Sequence, residues 1–455
     1  MGAGADAEGG GQNGGPTNPL ALPAGEAVIA QKALARVQLA QEHLEAGATG
    51  KAGEPLKDAE AGLKRLAGSA VRDAGARPVE QTILWHAMAL THAVRRKMPL
   101  EFLTLQPPRD AAFPAAVERG PAKEIAALLG GVDAWEFDIF RLKELTGDRS
   151  LLFLSWHLLK HRWGLVDKLG VDEVALLRYL TTIEWLYEDV TYHNKTHASD
   201  VLHACHVFLC QYGLEDAFSD LEKFALLVAA VVHDVEHDGR NNMYHANART
   251  DRCKMFEGQA IQESYHLALA LGTLSVPELN FWHPWDGPTV DAFTRQLGSA
   301  VLSTDMGKHF KLLEELDAAA EVHGADLLAT HKGSAYVVDL MHRITLHVAD
   351  ISNPMRPTRL AASWSRICID EFFEQGDLEK AQQLKVSMLC DRDTTSFPGS
   401  QIGFIDFIVT PTLEKFAKVL PKLRPALKPL LDQNRAHWVE VKAAADAPAG
   451  DEKKE

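Results

Sequence analysis

The sequence predicts an all-α protein, and three observations over residues 132–443 support this prediction. Apolar residues recur there at three- and four-residue spacing, for example over residues 151–165 and 171–187, which is the period of a helix that is buried on one face. This region contains no substantial runs of alternating apolar and polar residues, which would indicate strands. Glycine and proline fall between the helical segments rather than within them. We therefore expect residues 132–443 to form one helical domain.

The composition narrows the class of protein. The 455 residues include 46% hydrophobic and 24% charged residues, which is ordinary for a soluble globular chain of two or three domains. The formal net charge of −15 argues against binding to the phosphate backbone of a nucleic acid polymer. Five cysteines without regular spacing do not form a disulfide framework, and the longest apolar run, residues 224–232, is too short for a transmembrane segment. We expect a cytoplasmic protein.

The chain before the helical domain divides into two predicted regions. Residues 1–26 are rich in glycine, alanine and proline and are expected to be disordered. Residues 27–131 contain short amphipathic helices and then a linker, and they are a candidate tether within the cell. These helices could pair with a second copy of the chain, giving a homodimer, or dock on their own domain. Since each covers barely two heptads, docking or a small helical module is the preferred interpretation. At the other end, the charged tail of residues 444–455 is expected to be loose.

Histidines are concentrated in the helical domain, where 14 of the 20 lie between residues 190 and 350. The first group is in the stretch YHNKTHASDV, which begins at Tyr192. A helix is predicted over residues 196–212, with His193 just before its first turn and His197 inside it. Because four residues along a helix return to the same face, these two histidines can reach one point in space.

The second group follows the most apolar of the predicted helices. Residues 221–232 are apolar almost all round, which predicts a helix at the centre of the bundle. His233 and Asp234 come at its end, and His237 is four residues after His233. Imidazole and carboxylate groups together suit zinc and other transition metals. A metal site is therefore favoured over the alternative, which is a set of histidines that only hydrogen-bond within a core.

A third group lies far along the chain. Asp350 ends another apolar helix and is followed by the turn signal Asn353-Pro354. A carboxylate at the end of a core helix is costly unless it is paired or bound to a metal. Asp350 is therefore expected either to join the metal site or to find a partner nearby, and His347, three residues earlier, could equally be that partner.

Together the stretches YHNKTHASDV, HDVEHDGRNN, HVADISNP and SQIGFIDFIV resemble the catalytic domain of the class I cyclic nucleotide phosphodiesterases, which belong to the HD phosphohydrolase superfamily. The likeness covers residues 135–439, and the motifs occur in family order. It implies a compact multi-helix catalytic domain that hydrolyses 3′,5′-cyclic nucleotides to nucleoside 5′-monophosphates through a metal-activated hydroxide, which terminates cyclic nucleotide signalling. The Asn353-Pro354 pair resembles members that prefer cAMP to cGMP. The alternatives are another HD-type nucleotide phosphohydrolase and a scaffold that binds cyclic nucleotides without turnover.

The resemblance also implies a role for each residue of the site. Two divalent metals are expected, zinc at a tight site and magnesium or manganese at a second. The expected ligands of the tight site are His197, His233, Asp234 and Asp350, with Asp234 bridging to the second metal. The residues expected to hydrogen-bond the waters of the second metal are His237, Glu263 and Thr304. His193 is the expected general acid. The residues expected to bind the substrate are Tyr192, Asn353, Phe372, Gln401 and Phe404, of which Gln401 hydrogen-bonds the purine and Phe404 stacks on it.

Overall fold

The structure is a computed structural model that describes residues 122–447, apart from 257 and 331–332, and every regular element in this part of the chain is a helix. The predicted all-α class is therefore confirmed. The predictions for residues 1–26, 27–121 and 448–455 lie outside the described residues. None of the described helices combines the length and the hydropathy that a membrane span requires.

Short connections join the helices, which are numbered here in chain order. The α-helices are α1 (Ala122–Leu129), α2 (Ile139–Leu145), α3 (Ser150–Trp156), α4 (Leu165–Lys168), α5 (Glu173–Leu186), α6 (Lys195–Tyr212), α7 (Asp220–Val232), α8 (Asn242–Ala248), α9 (Asp251–Met255), α10 (Ile261–Thr273), α11 (Gly287–Val301), α12 (His309–His323), α13 (Leu327–Thr330), α14 (Ala335–Asp350), α15 (Thr358–Ala381), α16 (Phe397–Phe404), α17 (Thr410–Val419) and α18 (Leu423–Asp446). Short 3₁₀ helices lie at Pro277–Leu279, Met306–Lys308, Gly324–Asp326 and Asn353–Met355, and π-helical segments lie at His157–Arg162 and Ile405–Val409.

Three predicted boundaries differ from the structure. The end of the predicted linker forms α1, because Ile125 and Leu129 are four residues apart and both are buried. The predicted helix over residues 151–165 is interrupted by the π-helical segment and then by Gly164, whose φ of +63° lies outside the helical region. At the other end of the domain, α18 continues to Asp446 and so includes the first residues of the predicted loose tail.

Helix α7 is the central helix of the domain. The nine residues 224–232 are completely buried, and the helix packs against α6, α11 and α14. A capping box fixes its start, because the Ser219 side chain accepts a hydrogen bond from the Glu222 N–H group while the Glu222 side chain accepts one from the Ser219 N–H group. Since α7 is enclosed, its C-terminal end delivers the residues that follow it to the interior of the domain.

The ends of α6 and α14 reach the same part of the domain. Asn194 precedes α6, and its side-chain oxygen accepts hydrogen bonds from the N–H groups of Thr196 (2.9 Å) and His197 (3.4 Å). Helix α14 ends at Asp350, and Pro354 in the following 3₁₀ helix prevents its continuation. Because α6, α7 and α14 pack on one another, the first turn of α6 and the last turns of α7 and α14 are neighbours.

Candidate active site

Four predicted metal ligands from distant parts of the chain converge at these helix ends, and they are called here the metal group: His197, His233, Asp234 and Asp350. One ligand atom from each lies within 4.8 Å of all the others, so the group could hold a metal ion. The His197 Nε2 atom is 3.0 Å from Asp350 Oδ1 and 3.4 Å from Asp234 Oδ2. The His233 Nε2 atom is 3.1 Å from Asp234 Oδ2 and 3.5 Å from Asp350 Oδ1. A metal with bonds of about 2.1 Å holds its ligand atoms at about these separations.

The hydrogen bonds of His233 show that the metal group suits a cation. The His233 Nδ1 atom lies 3.0 Å from the carbonyl oxygen of Ala230 and donates its proton there. Burial would lower the pKa of His233, but the carboxylates of Asp234 and Asp350, which face its buried Nε2 atom, outweigh burial and raise that pKa. A metal would replace the Nε2 proton and take up the lone pair that then faces these carboxylate oxygens. A bound metal would satisfy these facing lone pairs, and two imidazoles with two carboxylates are a donor set that zinc accepts.

Within the metal group, the histidines and carboxylates shift one another's pKa in the direction that favours the charged form. Burial would lower the pKa of His197, but the facing carboxylates of Asp234 and Asp350 outweigh it and raise that pKa. Burial would likewise raise the pKa of Asp350, but the hydrogen bonds and charges of His197 and His233 lower it. The two carboxylates are therefore ionised in the folded chain and present negative charge to any cation that binds between them.

His193 stands at the edge of this group and is about a quarter exposed, with 24% of its side chain accessible. Its ring is edge-on to that of His197, with centroids 5.7 Å apart. Its Nδ1 atom is paired with a carboxylate oxygen of Glu371, whose other oxygen accepts the N–H groups of Tyr192 (2.7 Å) and His193 (3.1 Å). Burial lowers the pKa of His193, but the charge and hydrogen bond of Glu371 outweigh it and raise that pKa to about 9. The ring thus keeps its proton at neutral pH.

Glu371 is a residue that the sequence analysis missed. It lies on α15 and is almost fully buried, and although burial raises the pKa of this carboxyl, His193 lowers it to about 2. A signal for it does exist, because the face of α15 that starts with Trp364 and Cys368 continues at three- and four-residue spacing with Glu371, Gln375 and Glu379. Polar residues that continue an apolar helical face are candidates for buried, functional groups.

The residues predicted to hydrogen-bond the waters of the second metal are His237, Glu263 and Thr304. His237 stacks on His193 with centroids 4.0 Å apart, and because its Nδ1 atom accepts the Gly239 N–H group (3.1 Å), its proton is on Nε2. Burial raises the pKa of Glu263 to about 7, and the charges of Asp305 and Asp234 add to the effect. Thr304 follows α11, and its hydroxyl donates to the Val301 carbonyl (2.8 Å), which leaves its lone pairs free to accept.

The predicted substrate-binding residues fall into two sets. Tyr192 and Asn353 are joined by a hydrogen bond from the Asn353 amide to the Tyr192 hydroxyl (2.6 Å), and the Tyr192 ring packs on His197 with centroids 4.6 Å apart. Gln401 and Phe404 lie three residues apart on α16, and Phe372 follows Glu371 on α15. These three are partly exposed, and none has a hydrogen bond or ring contact with the metal group.

A second group of metal-ligand residue types, Asp133, His206 and Cys210, is already occupied by protein partners. The carboxylate of Asp133 accepts two N–H groups of Arg162 at 2.8 and 3.0 Å. The Trp163 indole N–H donates to His206 Nδ1 (3.0 Å), so the proton of that ring is on Nε2, where it bonds Asp133 (2.9 Å). With no free lone pair on the histidine, this group is a structural network.

Comparison with known proteins gives the relatives of this chain. Residues 192–430 match the family described as 3′5′-cyclic nucleotide phosphodiesterase. The chain is 32% identical to rat 3′,5′-cyclic-AMP phosphodiesterase 4C over 345 residues, and this alignment covers 74% of the chain and 63% of the rat protein. It is 34% identical to the probable 3′,5′-cyclic-AMP phosphodiesterase pde-4 of Caenorhabditis elegans over 315 residues, and this alignment covers 69% of the chain and 46% of the nematode protein. The chain thus spans between about half and two thirds of the length of these relatives.

A solved structure shares the fold. The phosphodiesterase domain of the RhoPDE fusion protein from the choanoflagellate Salpingoeca rosetta is 26% identical, with a TM-score of 0.63, and the match covers 71% of this chain and 98% of that one. The resemblance that the sequence motifs indicated is therefore confirmed at the level of the family.

Proposed function

The chain belongs to the 3′,5′-cyclic nucleotide phosphodiesterase family, and we propose that it hydrolyses cAMP, in preference to cGMP, to 5′-AMP. The observation that supports this most directly is the convergence of the metal group beside a protonated histidine, because cleavage of a cyclic phosphodiester needs both an activated nucleophile and a proton donor. The names of the matched relatives as cyclic-AMP phosphodiesterases support the choice of substrate.

In this proposal the metal group would hold zinc, and Asp234 would also serve a second metal, magnesium or manganese. When bound, the two metals supply positive charge to the phosphoryl oxygens and lower the pKa of water. Asp234 has an oxygen for each of these roles, because its Oδ2 atom faces His197 and His233 while its Oδ1 atom lies on the side of His266, 3.8 Å from the Nε2 atom of that ring. His237, Glu263 and Thr304 would orient the waters of the second metal, for which His237 has the Nε2 proton and Thr304 the free lone pairs.

His193 is the proposed general acid. Glu371 occupies its Nδ1 side and fixes the plane of the ring, which leaves Nε2 as the atom that can give a proton to the departing ribose 3′ oxygen. The raised pKa keeps that proton in place at neutral pH, and the partial exposure of the ring allows a substrate to reach it. His193 and the metal group would thus act on opposite ends of the bond that breaks.

The preference for adenine rests on Asn353 together with the predicted base pocket. Since the Asn353 amide nitrogen is held by Tyr192, its buried Oδ1 atom is an acceptor without a partner among the described residues. The exocyclic amine of adenine is a hydrogen-bond donor, whereas guanine has an acceptor at the same position, so an unpartnered acceptor favours adenine. Gln401 would hydrogen-bond the purine edge, and Phe404 and Phe372 would hold the ring between them.

Cytoplasmic location, a tether through the N-terminal region and pairing with a second copy remain predictions from the sequence. The tether and the pairing depend on residues 27–131, of which 27–121 lie outside the described residues.

The proposed function is tested by assaying the purified chain on cAMP and cGMP with and without a chelator, with bound metal counted in the same samples. We expect 5′-AMP as the product, a higher kcat/KM for cAMP, and loss of turnover when metal is removed. A higher kcat/KM for cGMP would overturn the base preference. Phosphate release from simple nucleotides with cyclic nucleotides untouched would indicate another HD-type phosphohydrolase, and a full metal content without any turnover would indicate a scaffold.

A further inference from the structure

Helix α15 presents three polar side chains on one buried face. Glu371, Gln375 and Glu379 follow one another at four-residue spacing, and each is 2% exposed or less. Burying an amide and two carboxylates is costly unless each finds hydrogen-bond partners. Glu371 holds His193 and therefore belongs to the active site, whereas Gln375 and Glu379 have no part in the mechanism above.

Glu379 is tied to the segment between α15 and α16, residues 382–396, which is called here the recognition loop because it leads directly to the helix of Gln401. The Glu379 Oε2 atom accepts the Ser387 N–H group (2.7 Å), and the Oε1 atom accepts the Ser387 hydroxyl (2.6 Å). A third bond comes from the Gln375 amide to Oε1 (3.0 Å). The carboxylate is fully buried, so these three bonds with uncharged donors stabilise its charge.

The same helix contacts the recognition loop through its backbone at Gly376. A Cβ atom added to Gly376 would lie 1.8 Å from the carbonyl oxygen of Cys390, so only glycine permits this approach. One turn of α15 thus makes two close contacts with the loop, from Glu379 to Ser387 and from Gly376 to Cys390.

Gln375 joins the recognition loop to the metal side of the site. Its Oε1 atom accepts the Asn241 N–H group (2.8 Å), while its amide nitrogen donates to Asn241 Oδ1 (3.1 Å) and to Glu379. The next residue, Asn242, donates to the carboxylate of Glu263 at 3.0 and 3.2 Å. Hydrogen bonds, together with the peptide bond between Asn241 and Asn242, thus connect the recognition loop through α15 to Glu263, which is proposed to orient a water of the second metal.

We propose that Glu379 is a positioning residue that sets substrate affinity, because it fixes the recognition loop and through it the placement of Gln401 and Phe404 on α16. This inference rests on the proposed function, since it assumes that those two residues bind the base. Glu379 touches neither the metal group nor His193, and the two hydrogen bonds between Gln375 and Asn241 do not involve its carboxylate, so its effect falls on binding of the nucleotide rather than on cleavage of the phosphodiester.

The central test is the variant Glu379→Gln. Oε2 faces the N–H group of Ser387 and Oε1 faces the N–H group of Gln375, so an amide in either orientation places one N–H group against another. We expect KM for cAMP to rise about tenfold or more, as for the loss of a buried hydrogen bond to a charged group. We expect kcat, bound metal and the hydrolysis of bis(4-nitrophenyl) phosphate, a diester without a purine, to stay within about threefold.

Two companion variants keep the test interpretable. Asp377→Asn removes an ion pair with Arg392 that also joins α15 to the recognition loop, but both side chains are about half exposed, so we expect KM to stay near the wild-type value. Ser387→Ala removes the hydroxyl and keeps the N–H bond, so we expect a smaller rise in KM than for Glu379→Gln. This variant carries the test if Glu379→Gln does not fold. Amide hydrogen exchange of residues 384–390 should accelerate in Glu379→Gln and not in Asp377→Asn.

The outcomes separate the inference from the function on which it rests. A Glu379→Gln enzyme with wild-type KM and wild-type exchange in the recognition loop would overturn the positioning role while leaving the activity established. An equal loss on cAMP and on bis(4-nitrophenyl) phosphate, together with lost metal, would also overturn it, because the carboxylate would then support the whole site. A wild-type chain that hydrolyses the nitrophenyl diester but neither cyclic nucleotide would overturn the proposed function, and the inference with it.

Discussion

At the scale of single residues, His193 stands beside the metal group without belonging to it. We expect His193→Ala to keep its metals and to lose about 10²- to 10⁴-fold in kcat, because only the protonation of the leaving oxygen is removed. Steady-state kinetics with metal analysis of the same preparation checks this. His283→Ala, at an exposed histidine paired with Asp172, is the control that should retain full activity. A His193→Ala protein without metal would contradict the separation of the two roles.

Glu371 determines the pH range in which His193 can act. Its carboxylate raises the pKa of His193 to about 9, and an acid catalyst works only below its own pKa, so wild-type kcat should fall as the pH rises through that value. In Glu371→Gln the opposing effect of burial remains and the pKa falls. We expect the alkaline limb of the kcat profile to move about one to three pH units towards acid. A profile that keeps its alkaline limb while activity falls uniformly would show that Glu371 acts only on structure.

The sequence could predict the members of the metal group but not the partner of His193. His197, His233 and Asp234 stand out because they cluster in short stretches and follow strongly apolar helices. Glu371 lies 178 positions from His193, and no local pattern connects the two residues. The four stretches that carry the resemblance also do not include Glu371, whereas the continuation of a buried face of α15 by polar residues is a signal for it.

At the scale of elements, the cap of α6 positions both active-site histidines of that segment. Asn194 also donates to the carbonyl groups of Val190 (2.9 Å) and Thr191 (3.2 Å), so it fixes the turn before the helix as well as its first N–H groups. We expect Asn194→Ala to lower the free energy of unfolding by about 0.5–2 kcal/mol and to weaken metal binding. Chemical denaturation and a metal titration measure the two effects.

Ser219→Ala is the matched control for that prediction. It removes the cap of α7 and should cost a similar free energy of unfolding. However, the 13 residues of α7 place Ser219 about 20 Å from the end that delivers His233 and Asp234, so metal affinity should not change. Equal effects of the two variants on metal binding would mean that the cap of α6 acts through general stability alone.

Helix boundaries could be predicted well where the sequence contains explicit start and stop signals. Helices α6 and α7 begin one residue before the predicted positions 196 and 221, because Asn194 and Ser219 are strong caps. The π-helical segment His157–Arg162 was not predicted. The segment continues directly from α3 with no side-chain cap at its start, so the sequence contains no start signal for it.

At the scale of the whole molecule, the site exists only because the fold joins distant segments. His197 and Asp350 are 153 positions apart, yet their side chains are 3.0 Å from each other. Periodicity could predict the helices that deliver them, but it contains no information on which helix ends meet. That part of the prediction came from the resemblance to the family, whose motifs specify the order and the convergence of the segments.

A metal held by the ends of α6, α7 and α14 should therefore stabilise the whole domain. An ion that binds the folded chain and not the unfolded one adds about 2.7 kcal/mol when its free concentration is 100 times its Kd. We expect removal of metal by a chelator to lower Tm by at least a few degrees, measured by scanning calorimetry with the metal content known. Before any chelator is added, Asp234→Ala should already have the lower Tm that the wild type shows after loss of metal. Chelator should not change it further, because the group that couples the three helices has lost its central carboxylate. A wild-type Tm that is unchanged after complete loss of metal would mean that the helix ends are held together by their protein contacts alone, and that the metal group contributes to chemistry without contributing to the stability of the fold.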